Sequence, residues 1–259
     1  MTDIKKQVQQ TFGTHAENYV TSPTHARGKS LSQLLKAIPR QPGWKTLDMA
    51  TGGGHTALAC AEEGAAVIAS DLTLKMLQTA RQFIRKQNQK VFFVQHDAEA
   101  VPFPADHFDL VTCRIAPHHF PDVPRFVHEA ARVLKPGGWL GIVDIISPDK
   151  KKAADYCNAF EKLRDPSHVW AFRLRDWRAF FEEAGLEMTH TEAAASDQQL
   201  GVWAARVGCD NVTIHRLRAM LLQAPQVIKD WYNVKTSENT LADIPFSIQQ
   251  AVMIARKRD

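Results

Sequence analysis

Between residues 46 and 144 the chain alternates short apolar runs with amphipathic stretches. This rhythm constrains the fold more than any other feature of the 259-residue sequence. Residues 46–50, 66–70, 91–94, 108–113 and 139–144 read as strands. Residues 56–63 read as a helix closed by Gly64, a good left-handed cap. Thr73 can cap a second helix, with Met76, Leu77, Ala80, Phe83 and Ile84 on one face. A third spans 123–134, with Phe126, Val127, Ala130, Val133 and Leu134 as its stripe, and Pro136-Gly137-Gly138 reads as a turn. Such alternation predicts a Rossmann-like, doubly wound α/β fold, a mostly parallel sheet with helices on both faces.

The remainder is less regular. Leu174, Trp177, Phe180, Phe181 and Ala184 mark a helix ended by Gly185, and 186–191 reads as strand six. Residues 196–235 look helical, with Asp210 as a cap, and 247–255 reads as a last strand. That strand must still pair, so 196–235 reads as a helical insertion before it. The expected organisation is one domain over 1–259: an N-terminal helical lid (1–40), a core (41–195), the insertion (196–235), and the last strand and tail (236–259).

Composition sets the class. Hydrophobic residues make up 44% and charged residues 23%, which excludes a disordered chain or a coiled-coil rod. The net charge of +4 is scattered, so no nucleic-acid partner is expected. Lys150-Lys151-Lys152 has no interleaved aromatic residue to stack a base and reads as a solvated helix start. The four cysteines, Cys60, Cys113, Cys157 and Cys209, form no CxxC pair, and no metal site is expected. No apolar stretch approaches the roughly 20 residues of a membrane span. With no signal core either, a cytoplasmic location is expected.

Asp48-Met49-Ala50-Thr51-Gly52-Gly53-Gly54 joins the first strand to the first helix. In an open α/β sheet that turn is where cofactors bind, and glycine lets a ligand approach the chain. Gly52-x-Gly54-x-x-Ala57 formally matches a dinucleotide fingerprint, weakly. Charge favours another ligand: Asp48 beside the loop repels a pyrophosphate and suits the cationic S-adenosylmethionine. Asp71, ending strand two, either accepts ribose hydroxyls or caps the helix that follows. After strand three, Asp97 could accept from an adenine amino group and the Ala98 amide could donate to a ring nitrogen. Leu72 and Met76 could sandwich the base. A plain polar turn before Pro102 is the other reading of 96–99.

Together these residues resemble the class I S-adenosylmethionine-dependent methyltransferases, in the small-molecule branch that includes the ubiquinone/menaquinone C-methyltransferases. Residues 47–54 match the first motif, Asp71 the second, Asp97-Ala98-Glu99 with Pro102-Phe103 the third, 108–111 the fourth and 134–138 the fifth. One departure is Ala50, where the family usually has glycine. The resemblance implies a seven-stranded sheet with its last strand antiparallel, and S-adenosyl-L-methionine as cofactor. It implies cofactor contacts from Asp48, Ala50, Thr51, Gly52, Gly54, Asp71, Leu72, Met76, Asp97, Ala98 and Glu99. Arg114, just past strand four, either lies near the methionine end or is a surface ion-pair partner.

The acceptor is expected to be a small molecule, quinone-like or aromatic. Many acceptors need a base, and imidazole suits neutral pH. His118 and His119 follow strand four on the acceptor side. Adjacent residues usually point apart, so one is expected to line the pocket and the other to be structural. Tyr19 and His25 are candidates to close over the substrate, or belong to a packing helix. Two other functions share these features: a non-catalytic methyltransferase-like binding protein, and an NAD(P)-dependent dehydrogenase.

Overall fold

The structure, a computed structural model, describes residues 3–14, 16–17, 28–235 and 243–259. One sheet contains β1 (Lys45–Met49), β2 (Ala66–Asp71), β3 (Phe92–Gln95), β4 (Phe108–Arg114), β5 (Leu134–Ile145), β6 (Leu186–Gln199) and β7 (Pro245–Lys257), in the order β3-β2-β1-β4-β5-β7-β6. The pairs from β3 through β5 are parallel, and β7 runs antiparallel to both β5 and β6. The chain therefore has the seven-stranded sheet with an antiparallel last strand, and the strand order reverses between β1 and β4.

Alternation along the strands feeds two layers. Leu47, Val111, Ile142 and Met253 pack with Phe126 and Val127 of α5 (Val123–Val133) and with Trp177 and Phe181 of α7 (Leu174–Glu183). Leu110, Val143, Val252 and Ile254 pack with Leu34 of α2 (Lys29–Ala37), Ala57 and Cys60 of α3 (His55–Glu62) and Ile84 of α4 (Leu74–Lys86). Each large side chain buried this way contributes about 1.5–3 kcal/mol.

A third cluster joins Phe160 of α6 (Lys151–Arg164), Trp203 of α8 (Leu200–Ala205), Leu217 and Leu221 of α9 (Asn211–Gln223), Ile228 of α10 (Gln226–Trp231) and Phe246 of β7. Asp210 caps α9 by accepting from the Thr213 amide at 2.8 Å. This is the helical insertion before the last strand.

Several local expectations change. Residues 196–199 extend β6, because Gln199 still pairs with Pro245 of β7. The helices therefore begin at Leu200. Pro136-Gly137-Gly138 is a bulge inside β5 rather than a turn before it: Phe108 pairs with Leu134 while Leu110 pairs with Trp139. Of the expected lid, among the described residues, α1 (Asp3–Thr14) lies by the strand tips, its Lys5 against Asp97. By contrast α2 is part of the sheet's cover, seated where Gly141 leaves room for Ile38 and Leu34. Among the described residues no helix is long and apolar enough to cross a membrane.

Candidate active site

A cleft of about 970 Å³, open to solvent, lies at the carboxyl ends of β1 to β4. This is the switch point where doubly wound sheets take ligands. Its floor is the turn after β1. The Thr51 amide donates to the Ser70 carbonyl at 2.8 Å, and the Gly54 amide to the Thr51 carbonyl at 2.9 Å. The Gly52 amide donates to Asp71 Oδ2 at 3.1 Å. Three amides that a phosphate cradle would aim at a ligand are thus taken within the protein.

Carboxyl groups tip the strands. Asp48 is buried, accepting from the hydroxyls of Thr51 (2.6 Å) and Thr112 (2.7 Å). Burial pushes its carboxyl above the ordinary range, and those two hydrogen bonds pull it back. Asp71 also takes the Thr73 amide, at 2.8 Å. Burial lifts it to about 6 against the pull of the Thr73 and Gly52 amides. Each of its oxygens keeps a second lone pair for a ligand donor. Thr73 occupies the N-cap position of α4 as expected but makes no side-chain cap bond, and Asp71 fixes the turn before it by holding the Thr73 amide while also lining the cleft.

Lys5 of α1 ion-pairs with Asp97 at 2.6 Å and with Glu99. Burial would lower the lysine, but its bonds to the two carboxylates hold it above its ordinary value. The neighbouring His96 Nδ1 bonds the Asp97 carbonyl at 2.9 Å, while its Nε2 is buried without a partner and His96 lines the cleft. Arg114 donates through Nε to the Thr56 hydroxyl at 3.2 Å. Burial lowers the guanidinium to about 10, resisted by Asp48. Arg114 lines the cleft.

Of the expected cofactor residues, the cleft brings together Asp48, Ala50, Thr51, Gly52, Asp71, Leu72, Met76, Asp97, Ala98 and Arg114. Gly54 and Glu99 are not in its lining. Gly54 has φ +85° and faces α4, where an added Cβ would meet Ile84 at 3.0 Å and Ala80 at 3.1 Å. It serves helix packing. Glu99 is turned to Lys5 and to the Asp122 amide (2.8 Å). Tyr19 and His25 lie outside the described residues. Lys5, Val8, His55 and His96 also line the cleft. No sequence motif marks Lys5, Val8 or His55, the first two lying in the expected lid, while His96 opens the 96–99 turn.

The two histidines sit on a short 3₁₀ turn, Pro117–His119, with ring centroids 4.1 Å apart. They do not point apart as expected, because this tight turn keeps both rings on one side. His118 Nδ1 bonds Asp144 Oδ1 at 2.6 Å. Burial opposes its charge, but Asp144 outweighs burial and raises it above the ordinary histidine value. With Nδ1–H donated to a carboxylate, Nε2 is the basic atom. His119 Nδ1 bonds the Ser167 carbonyl at 3.1 Å and its ring meets Phe12 edge-on at 4.9 Å. Burial, then the neighbouring His118, holds it neutral, far below the usual range.

A second cavity of about 550 Å³ adjoins the cleft. Phe12, Ile115 and His119 line both. His118 lines only the second, which is also open to solvent and is bordered by α6, α8 and the tips of β6 and β7. Ile115 is held at φ +55°, a strained setting for a β-branched residue, at the wall between them. Among the described residues no cluster of His, Cys, Asp or Glu could hold a metal ion.

Comparison with known proteins agrees with this geometry. Residues 47–142 match a methyltransferase domain family. The uncharacterized methyltransferase YcgJ of Bacillus subtilis is 33% identical over 88% of this chain and 90% of its own length. Its crystal structure superposes with a TM-score of 0.84 at 32% identity, over 89% of this chain and 98% of that one. A crystal structure from Bacillus halodurans gives 0.85 at 35% identity, over 90% and 100%. The demethylmenaquinone methyltransferase of Thermus thermophilus is 35% identical over 48% of this chain and 56% of its own.

Proposed function

Since the chain belongs to the S-adenosylmethionine-dependent methyltransferases, we propose that the cleft holds the donor and that a small aromatic or quinone-like acceptor reaches it from the second cavity. The observation that carries the donor reading is the glycine turn in which the Thr51, Gly52 and Gly54 amides are spent internally beneath acid-tipped strands. That floor suits a cationic, phosphate-free nucleoside and disfavours a dinucleotide. The fit extends to the buried, unpartnered His96 Nε2, which offers a bond beside Asp97. A Cβ at Gly52 would meet only the Met76 methyl, at 3.6 Å, so the turn leaves that surface open.

Asp71 would hold the ribose hydroxyls through its spare lone pairs. Asp97 and Ala98 would take the adenine, between Leu72 and Met76. Lys5 competes for Asp97, so Asp97 would serve the adenine only when Lys5 turns to Glu99 alone. The bound donor supplies an electrophilic methyl group on a sulfonium. Phe12, Ile115 and His119 would wall the place where acceptor and donor meet and keep water from it. His118 would take the acceptor proton on Nε2, with Asp144 steadying the cation that forms. The neutral His119, fixed by Ser167, orients without exchanging protons. The four free thiols, three of them buried, fit a reducing cytoplasm.

A thermal-shift titration tests this. S-adenosylhomocysteine is expected to raise the melting temperature, while NAD and NADP leave it unchanged. A shift with the dinucleotides alone would replace the donor reading by the dehydrogenase one. Asp71→Ala is expected to weaken S-adenosylhomocysteine binding by about 1–3 kcal/mol, the cost of unpairing buried hydroxyls.

A further inference from the structure

The second cavity contains a group that neither the fold nor the proposed proton transfer uses. Glu161 of α6 lines it, is only 7% exposed, and has a carboxyl Oε1 buried without a hydrogen-bond partner. A buried polar group in that condition costs stability unless something binds it. Neighbouring groups do not use it. Arg164 donates twice to the Trp203 carbonyl, at 3.2 and 3.0 Å, and lies over the Trp203 ring at 4.4 Å. Asp165 accepts from the amide and hydroxyl of Ser167. Arg206 donates to Gln198. His118 is committed to Asp144 through Nδ1.

The charges facing the cavity are of both signs. Arg164, Arg206 and His118 oppose Glu161 and Asp165, with Asp144 behind His118. A cation would meet the two guanidinium groups, and an anion would meet the carboxyls. An uncharged occupant avoids both. The rest of the wall sets the uncharged polar side chains of Ser196, Gln198, Gln250 and the neutral His119 beside apolar Phe12, Ile115, Ile145, Ile248 and Trp203, and its apolar part suits a flat ring. We propose that the second cavity takes the methyl acceptor and that Glu161 selects it, so that the acceptor is a compact, uncharged ring bearing a hydroxyl group that donates to Glu161. This rests on the methyl-transfer reading above and sharpens it. Burial raises the Glu161 carboxyl to about 7 against the pull of Arg164 and His118, which is consistent with a group waiting for a neutral hydrogen-bonding partner.

Ile145 and Ile248 line the second cavity and not the cleft, so their δ1 methyl signals in ¹³C-labelled protein report on it alone. Titration with 1,3-dihydroxybenzene is expected to shift both signals, whereas 1,3-dimethoxybenzene, benzylamine and benzoate bind far more weakly. Glu161→Leu should weaken dihydroxybenzene by about tenfold, the worth of one buried hydrogen bond. Glu161→Gln keeps an acceptor oxygen and should lose less. Both variants are expected to fold, since the carboxyl makes no bond that the fold needs, and unchanged S-adenosylhomocysteine binding checks this. Equal binding of the dimethyl ether, tighter binding of benzylamine or benzoate, undiminished binding by Glu161→Leu, or no shift at millimolar dihydroxybenzene would each overturn the proposal. Failure of S-adenosylhomocysteine to bind the wild-type protein would sink the donor reading instead, and would leave the Glu161 result to be read by itself.

Discussion

His118 and Asp144 form the pair whose chemistry can be read most directly at single-residue resolution. A base must be unprotonated to act, and Asp144 stabilises the protonated ring. Activity should therefore rise with pH through a value above the ordinary 6.5 of histidine. Asp144→Asn removes that support, so the acid limb should move to lower pH while kcat falls by about a hundredfold or more. A pH–rate profile checks both. An unmoved limb would take the proton-acceptor role from His118. The strand-end acids Asp48 and Asp71 were legible because strand ends and glycine turns leave signatures. Ala50 shows why the family prefers glycine there: its φ is +51°, in the left-handed region. Glu161 was not legible. It sits among charged residues on a helix, and nothing in Glu161-Lys162-Leu163-Arg164 says which one is buried.

Elements obey their local patterns except where pairing overrides them. Residues 192–199, Glu-Ala-Ala-Ala-Ser-Asp-Gln-Gln, have weak strand propensity. They form strand because β7 offers a full antiparallel ladder beside them. The amphipathic stripes of α4 and α5 were legible because their periods match what they bury. The lid was only half legible: apolar spacing cannot distinguish a helix that covers a sheet, such as α2, from one that covers a cleft, such as α1. Gly54 was assigned to the ligand by its place in a motif, yet its surroundings belong to the contact between the turn and α4. Gly54→Ala would force a Cβ into a left-handed backbone beside Ile84 and Ala80. It should cost about 1–3 kcal/mol of stability, seen as a lower midpoint in urea unfolding. An unchanged midpoint would mean that α4 can withdraw freely.

For the whole molecule, the buried titratable groups set how stability depends on pH. His168 bonds Asn158 at 2.8 Å, and burial, then His118, holds it neutral down to about 2. The unfolded chain would take up its proton near 6.5. Its contribution is therefore present above 6.5 and is lost as pH falls through the acid range. The slope is up to about 1.4 kcal/mol per pH unit for one proton. Asp71 and Glu161 act in the opposite sense. Their folded values, about 6 and about 7, lie above the unfolded ones, so their contribution is present at low pH and lost as pH rises toward neutrality. His168→Gln should flatten the acid loss relative to wild type, in chemical unfolding followed from about pH 6.5 down to about pH 4. Parallel curves for the two proteins would show that His168 is protonated in the fold.

The most direct test is a crystal structure grown with S-adenosylhomocysteine. The nucleoside is expected in the cleft over the turn from Ala50 to Gly52, its ribose on Asp71 and its adenine beside Asp97, with Lys5 moved off the Asp97 carboxylate. A cleft without the nucleoside and with Lys5 still on Asp97, the compound bound elsewhere or not at all, would contradict the assignment.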